Sequence, residues 1–485
     1  MLRRRLPMVA PSPQHRHPGE SRDPSRRLAA QRWIPAFAGM TTWVGSVLTV
    51  LLLAIAAPAH AIDIRKVVSP GGITAWLVED HSNPLISAVV GFRGGSSADE
   101  KGREGTAFMV SALLDEGAGE LDSTAFQQRL ADLAVDFGCS TDLDNFTVDL
   151  RVLSQRRDAG FDLLRLALSK PRFDQAAVDR IRGQLQARIA SQADDPGHIA
   201  SLAWWRSAFP EHPYGQPVEG TPASVDAITA ADLKRFVTQH FGRNNLVIGV
   251  VGDIDAATLG PLLDRTLGEL PAVVEAPQIA EAMPAGAGQL QVIDRDVPQT
   301  VVIFGAPGVK RSDPDFYAAA LVDYILGGGG FASRLTQEVR EKRGLTYGID
   351  VSLAPLDHSG VLQGDFGTRN AKVGESIAVL RDVWKRLSEE GPTAQELAEA
   401  KTYLIGNYPL NLTSNGKVAN LLVALQLDHL GIDYLQRRVA HIDGVTIEEA
   451  RRVAGRLLDP TLISMVVVGR PQGVQATLPV VKAGG

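Results

Sequence analysis

The chain contains a single cysteine, Cys139, among its 485 residues. One cysteine excludes an intramolecular disulfide and a metal site built from several thiolates. The surrounding Phe-Gly-Cys-Ser sequence favours a small buried apolar side chain over a reactive thiol at this position. We therefore expect the fold to be stabilised by burial of apolar side chains rather than by cross-links.

Histidines at metal-binding spacing are also missing. Seven histidines follow residue 61, and no two of them lie three to five positions apart: His81, His198, His212, His240, His358, His429 and His441. A zinc-binding helix commonly presents two histidines one turn apart. A zinc site made by these histidines would therefore need residues that are distant in sequence. The G-x-S-x-G motif of serine hydrolases is absent as well.

The composition is that of a globular protein, with 45% apolar and 21% charged residues in a chain long enough for two or more cores. Residues 1–61 contain eight arginines, Glu20 and Asp23, a net charge of +6. Taking this from the net charge of −6 for the whole chain leaves −12 for the remainder. An acidic body disfavours nucleic acid and anionic membrane surfaces as partners.

Residues 44–57 read VGSVLTVLLLAIAA and are followed by Pro58 and Ala59-His60-Ala61. An apolar run of this length before a small-x-small sequence is typical of a signal peptide. We expect residues 1–61 to be a leader, the mature chain to begin at Ile62, and the protein to be exported, with the bacterial periplasm as its compartment. A retained anchor is the alternative, but the run is short for a membrane span, so no stable span is expected in the mature chain.

Residues 271–288 are rich in Pro, Ala and Gly and lack apolar periodicity, which predicts a linker. This linker divides the mature chain into two domains, 62–270 and 289–485. The two domains end alike, because residues 225–253 and 442–470 align at a constant offset of 217 without a gap. A shared offset of this kind indicates a tandem duplication.

Matching helix starts lie inside the aligned segments. Thr229 and Thr446 are followed three residues later by Asp232 and Glu449, the pattern of an N-capping box. Apolar periodicity predicts further helices in the first domain at about 105–116, 123–135, 158–169, 174–192 and 197–208.

The strand signals complete the predicted fold. ITAWLVED (73–80) and LISAVVGF (85–92) suit an antiparallel pair, with Asn83-Pro84 as the turn between them. We expect an α+β fold in which each domain is a sandwich of an antiparallel sheet and helices.

Residues 105–117, GTAFMVSALLDEG, resemble the zinc-site helix of the insulinase/pitrilysin metallopeptidases, which are inverzincins with the motif H-x-x-E-H. In this chain the motif falls on Phe108, Ser111 and Ala112. The third zinc ligand of the family is a glutamate, and the corresponding position in ARIASQADDP is Arg188. The resemblance therefore implies a degenerate zinc site, with no zinc or other cofactor in this chain.

The resemblance covers essentially the whole mature chain, and it implies two homologous halves that face each other across a clam-shell chamber. Residues 333–348, SRLTQEVREKRGLTYG, resemble the substrate-binding segment of the family, in which Arg340 and Tyr347 would hold a peptide carbonyl.

Local patterns alone leave other interpretations open for this region. Alternation of Leu345, Tyr347, Ile349, Val351 and Leu353 suits a strand face on which Tyr347 is buried, and the charged neighbours of Arg340 suit a solvated helix. Gly327–Gly330 follow a helical stretch and precede no G-K-[ST] sequence, which favours a helix stop over a phosphate-binding loop.

The missing zinc ligands suggest a non-catalytic subunit of a two-chain insulinase-type peptidase, similar to the alpha subunit of mitochondrial processing peptidase. In such a heterodimer a zinc-bearing subunit is the partner, peptides are the substrates, and this chain alone cleaves none. The alternative is a structural or peptide-binding scaffold of the same fold without a role in proteolysis.

Overall fold

The computed structural model describes residues 62–275 and 277–482. The predicted leader, residues 1–61, lies outside the described residues. The strands of the first half are β1 (Arg65–Val68), β2 (Thr74–Glu79), β3 (Leu85–Arg93), β4 (Gly117–Ala118), β5 (Leu121–Asp122), β6 (Asp136–Thr141), β7 (Asn145–Leu153) and β8 (Leu246–Gly252). Its helices are α1 (Thr106–Leu113), α2 (Ser123–Leu133), α3 (Arg157–Ser169), α4 (Gln175–Gln192), α5 (Pro196–Ala208), α6 (Pro222–Ala227), α7 (Ala230–His240) and α8 (Ala256–Leu267).

The first half contains a six-stranded sheet in the order β1-β2-β8-β3-β7-β6. The predicted antiparallel pairing of β2 with β3 is wrong, because β8 lies between them, parallel to β2 and antiparallel to β3. A strand inserted between two oppositely directed strands must run parallel to one of them, so the sheet is mixed rather than purely antiparallel. The apolar strand β8 is largely buried, which suits this central position.

The second half repeats this design. Its strands are β9 (Leu290–Asp294), β10 (Gln299–Pro307), β11 (Ile349–Pro355), β12 (Gly360–Arg369), β13 (Ser464–Val468) and β14 (Val481–Lys482). Its helices are α9 (Phe316–Asp323), α10 (Val373–Glu390), α11 (Ala394–Gly406), α12 (Asn415–Leu427), α13 (Tyr434–Asp443) and α14 (Ile447–Leu457).

The second sheet has the order β14-β9-β13-β10-β12-β11, with β13 and β14 parallel to β9. Strands β13 and β10 occupy the positions that β8 and β3 hold in the first sheet. Helices α7 and α14 begin at Ala230 and Ile447, which preserves the sequence offset of 217. The predicted capping boxes of Thr229 with Asp232 and of Thr446 with Glu449 are confirmed.

Each half has its own apolar core between sheet and helices. Leu77, Phe92 and Leu233 are among the fully buried residues of the first core, which extends to Leu270. The second core begins at Leu290. The chain is therefore an α+β protein made of two sandwiches of mixed sheet and helices.

The two halves also exchange a helix. Helix α5 of the first half packs on the second sheet, where the Trp204 Nε1 donates a hydrogen bond of 3.0 Å to the Ser464 Oγ. Helix α12 of the second half packs on the first sheet, where a Cβ at Gly249 would lie 2.5 Å from the Ala419 carbonyl oxygen. One helix of the other half therefore packs on the central strands of each sheet.

The described residues of 271–288 form neither helix nor strand, yet they are held in place. Ala282 N donates to His358 O at 2.9 Å, and Ala285 N donates to Ala208 O at 2.7 Å. Within residues 62–275 and 277–482, no helix has the length and apolar character needed to cross a membrane.

Candidate functional site

Helix α1 carries the segment in which the sequence predicts a degenerate zinc site. It follows Gly105, whose φ of 96° lies in the left-handed region. The Asp99 carboxylate accepts hydrogen bonds from Gly105 N at 2.8 Å and Ala107 N at 2.9 Å, and so caps the N-terminus of α1. Burial raises the pKa of Asp99 to about 7, although these two donors favour its charged form.

Phe108, Ser111 and Ala112 lie on α1 and offer no available metal donor. Phe108 and Ala112 are partly buried against the first core. The Ser111 hydroxyl donates a hydrogen bond of 2.8 Å to the Phe108 carbonyl oxygen, so it serves the backbone of its own helix.

Arg188 lies on α4, and the structure brings it to Phe108. Its guanidinium carbon is 5.5 Å from the centroid of the Phe108 ring, within the range of a cation–π contact. The same guanidinium pairs with Glu219, with 2.7 Å between the Arg188 Nη2 and the Glu219 Oε1. The two side chains are only 26% and 19% exposed, so the pair is largely shielded from solvent.

The loop that carries Glu219 is fixed against the entry to α1. The Ser224 Oγ donates to the Glu104 carbonyl oxygen at 2.8 Å, and a Cβ at Gly220 would lie 2.1 Å from the same oxygen. Gly220 also has a φ of +77°, so a side chain at this position would be both crowded and strained. This close approach places the Glu219 carboxylate beside Arg188.

The residues at the four positions do not fit a zinc ion. Zinc takes three nitrogen, sulfur or oxygen donors from the protein in a catalytic site, whereas these positions supply a benzyl group, an engaged hydroxyl, a methyl group and a cation. Within residues 62–275 and 277–482, no group of three or more His, Cys, Asp and Glu side chains is arranged to hold a metal ion. The positive charge beside Phe108 is therefore that of the Arg188 guanidinium.

Arg340 and Tyr347 are adjacent in the structure, with 5.2 Å between the Arg340 guanidinium carbon and the Tyr347 ring centroid. The guanidinium also lies 4.6 Å from the ring centroid of Phe331. Its Nε pairs with Glu341 at 3.4 Å. Arg340 is in a π-helical turn, Thr336–Glu341, a type of turn that is frequent at functional sites.

The interpretation of Tyr347 as a core residue is wrong, because 80% of its surface is exposed. Strand β11 begins only at Ile349, and within the strand Ile349 and Val351 are the buried members of the alternation. Leu345 is also buried, but it precedes the strand. Gly344, with a φ of 57°, redirects the chain before the strand. Tyr347 therefore lies in the connection and not on the buried strand face.

Gly327–Gly330 end a helix, as the sequence predicts. Helix α9 continues into a π-helical turn, Tyr324–Gly328, and Gly330 has a φ of 56°. A Cβ at Gly327 would lie 2.7 Å from Val351 N, so this glycine allows the turn to pack on β11. Helix α9, and not a strand, leads directly into this segment, so the context that a phosphate-binding loop requires is missing.

Two neighbours of these sites are not indicated by any sequence motif. Glu219 is 31 positions from Arg188 in sequence, and its pairing depends on the fold. Phe331 follows Gly327–Gly330 in the chain. It contacts Arg340, which lies nine residues later in the π-helical turn. The need of a half-buried arginine for a counter-ion is the one signal that could have suggested an acidic neighbour.

Comparison with known proteins connects this geometry to one family. Residues 75–222 match the model of the insulinase peptidase family M16, and residues 227–404 match the model of the M16 inactive domain. Together the two matches cover most of the two sandwiches.

Individual relatives agree with the family models. A non-peptidase homolog of Helicobacter pylori, YmxG, is 29% identical over 339 residues, 68% of this chain and 77% of that protein. An uncharacterized zinc protease of Streptomyces coelicolor is 27% identical over 430 residues, covering 85% of this chain and 91% of that protein.

Solved structures share the fold. A crystal structure described as the peptidase M16 inactive domain from Pseudomonas fluorescens superposes with a TM-score of 0.79 at 29% identity, covering 86% of this chain and all of that chain. A chain of complex III from Candida albicans has a TM-score of 0.71 at 16% identity, over 86% of this chain and 97% of that one, a likeness of fold alone. The paired sandwiches and both family models show that this chain belongs to the insulinase family, M16.

Proposed function

We propose that this chain is a non-catalytic subunit of a two-chain insulinase-type peptidase. A zinc-bearing partner of the same family would carry out the hydrolysis, and this chain would contribute part of the chamber wall and the substrate-binding residues Arg340 and Tyr347. The observation that carries this proposal is the ion pair of Arg188 with Glu219. Arg188 stands at the position that the sequence resemblance gives to the third zinc ligand.

The charge at Arg188 argues against a metal site in this chain. A dication bound beside a guanidinium is repelled by it, and this repulsion is strong where the surroundings exclude water. Replacement of both histidine positions and of the general-base position removes the remaining zinc chemistry. The name of the Helicobacter pylori relative, non-peptidase homolog, agrees with this proposal.

The exposed pair on the second half supports a role in substrate binding. Arg340 and Tyr347 place a guanidinium and a phenol hydroxyl side by side on the surface. Both groups donate hydrogen bonds, so together they could hold a peptide carbonyl and favour the negative charge that develops on its oxygen. Export to the periplasm, through the leader predicted at residues 1–61, is part of the proposal.

Purification of the tagged chain from its native host, followed by mass spectrometry, tests the assembly. We expect a stoichiometric partner with an intact H-x-x-E-H motif and zinc, and peptide cleavage only by the complex. If partners are recovered and none of them is a zinc-bearing relative, the alternative of a structural scaffold is favoured. Fractionation of the same cells would show whether the chain is periplasmic.

A further inference from the structure

Phe331 is an exposed aromatic residue whose position is well defined by its neighbours. It is 63% exposed, whereas most phenylalanine side chains are buried in the core of a protein. The Gln337 Nε2 donates a hydrogen bond of 2.6 Å to the Phe331 carbonyl oxygen, and the Ser333 Oγ donates to Gly330 O at 2.7 Å. The backbone around the exposed ring is therefore held by side chains of its own segment.

The following residues anchor this segment to the body of the second half. Ser333 is fully buried, and Arg334 makes a double ion pair with Glu396, with distances of 2.7 and 2.8 Å. Arg334 also donates to Gly391 O at 3.1 Å. An aromatic ring on a fixed backbone loses little conformational entropy when it contacts a ligand.

The Arg340 guanidinium lies close to two exposed rings, 4.6 Å from the centroid of Phe331 and 5.2 Å from that of Tyr347. Within residues 62–275 and 277–482, its two terminal amino groups donate no hydrogen bond, and its ion pair with Glu341 is through Nε. Stacking on aromatic rings orients a guanidinium without using its N–H groups. These groups remain available for a carbonyl or carboxylate oxygen.

We propose that Phe331, Arg340 and Tyr347 form one peptide-binding subsite, in which Phe331 contacts a bulky apolar side chain of the peptide whose oxygen Arg340 holds. This inference rests on the proposed function, because Arg340 and Tyr347 are its substrate-binding residues. It adds a specificity-determining residue and a substrate class, peptides with a large apolar residue next to the bound oxygen. A guanidinium with unused donors beside an exposed ring offers both contacts that such a peptide needs.

The test is peptide binding by the full-length chain, measured by fluorescence anisotropy. Two labelled peptides would be compared that differ at one position, Leu in one and Ser in the other. We expect Phe331→Ala to weaken binding of the Leu peptide by about tenfold, because the apolar contact is lost, and to change binding of the Ser peptide less than about twofold. Phe331→Leu should retain most of the preference. Met283→Ala, which removes another exposed apolar side chain, is the matched control.

The outcomes separate this inference from the proposed function. Equal weakening of both peptides by Phe331→Ala would overturn the specificity role and leave a positioning role for the ring. If Arg340→Gln abolishes binding of both peptides while Phe331→Ala changes neither, the inference fails and the proposed function stands. If Arg340→Gln has no effect, or the unaltered chain binds neither peptide, the proposed substrate-binding role itself fails. If Phe331→Ala leaves peptide binding intact but prevents assembly with the partner, the ring belongs to a subunit interface instead.

Discussion

The Arg188 guanidinium lies 5.5 Å from the centre of the Phe108 ring, and the sequence resemblance assigns both positions to zinc ligands. Glu219 completes the arrangement as the counter-ion of Arg188. A metal in this fold would bring helices α1 and α4 together through its ligands. In this chain a cation–π contact and an ion pair connect the same two helices and the loop after α5.

The first prediction concerns zinc. The purified chain should contain no stoichiometric zinc, and Phe108→His with Ala112→His should still give neither tight zinc binding nor hydrolysis, because Arg188 stays beside the site and Ser111 supplies no general base. Adding Ser111→Glu and Arg188→Glu should allow zinc to bind. The carboxylate introduced at position 188 would lie beside the Glu219 carboxylate, and a bound cation would neutralise the repulsion between them. We expect this fourfold variant to cleave peptides only weakly, because the residues that orient the ligands are lacking. Metal analysis that finds one tight zinc in the unaltered chain would contradict the prediction.

The second prediction concerns the pair of Arg188 and Glu219. Glu219→Gln should lower the free energy of unfolding by about 1–3 kcal/mol, because it leaves a partly buried guanidinium without its counter-ion. Arg188→Met with Glu219→Gln should cost less than the sum of the single changes, with a coupling of about 1 kcal/mol or more. Denaturant titration measures each value. Asp136→Asn breaks the exposed pair with Arg151 and serves as a control, with an expected change within about 0.5 kcal/mol. Additive single changes would show that the Arg188 pair is energetically unimportant.

The third prediction concerns Tyr347 in an assembled complex. Tyr347→Phe removes one exposed hydroxyl and keeps the ring beside Arg340, so thermal stability and assembly should be unchanged. Turnover should fall by roughly a hundredfold or more, since a lost hydrogen bond to a charged transition-state oxygen costs about 2–4 kcal/mol. Steady-state kinetics of the complex give this value. Tyr403→Phe, at another exposed tyrosine, should leave turnover unchanged. Normal turnover of Tyr347→Phe would remove this residue from substrate binding.

The fourth prediction concerns stability against pH. Burial lowers the pKa of His240 to about 4, below its ordinary value of 6.5, so the unfolded chain binds the proton more tightly. The contribution of His240 to stability is therefore full above pH 6.5 and declines by up to about 3 kcal/mol as the pH falls to 4. Asp99 acts in the opposite sense, because burial raises its pKa to about 7 and its contribution declines as the pH rises from about 4 to 7.

Single variants should separate these two opposing contributions. The difference in stability between the unaltered chain and His240→Phe should be constant above pH 6.5 and should shift against the unaltered chain as the pH falls to 4. The stability that the unaltered chain loses through Asp99→Asn should be largest near pH 4 and should decline as the pH rises to 7. Urea titrations at several pH values between 4 and 7 measure both slopes. Parallel profiles for the two variants would show that these groups do not control the pH dependence.

The fifth prediction concerns the exchanged helix α5. A Cβ at Gly305 would lie 2.2 Å from the Trp204 ring, and Trp204 is fully buried. Gly305→Ala should therefore destabilise the protein by about 1–3 kcal/mol, because the indole cannot move away without disturbing its packing. Gly183→Ala is the control, since this exposed glycine of α4 has no atom within 4 Å of a new Cβ. Alanine there should stabilise the chain by about 0.5–1 kcal/mol. The melting temperatures of the two variants test the prediction, and an unchanged melting temperature for Gly305→Ala would contradict it.

The sequence by itself determined the features that depend on the identity of side chains at known spacing. Phe108, Ala112 and Arg188 lack metal donors whatever their surroundings, so the prediction that these positions bind no zinc needs no coordinates. The capping boxes at Thr229 and Thr446 were predictable for a similar reason, since each joins residues three positions apart. The duplication was visible as one constant offset between two segments.

Only the tertiary structure decided the relationships between residues that are distant in sequence. Strand β8 lies between β2 and β3, although β2 and β3 are neighbours in the chain, because a strand buried on both faces is most stable in the centre of the sheet. Tyr347 is exposed because β11 begins two residues after it, a boundary that alternation of apolar residues did not mark. The contacts of Arg188 with Glu219 and of Arg340 with Phe331 join separate segments, and such contacts form only when burial of the two cores brings these segments together.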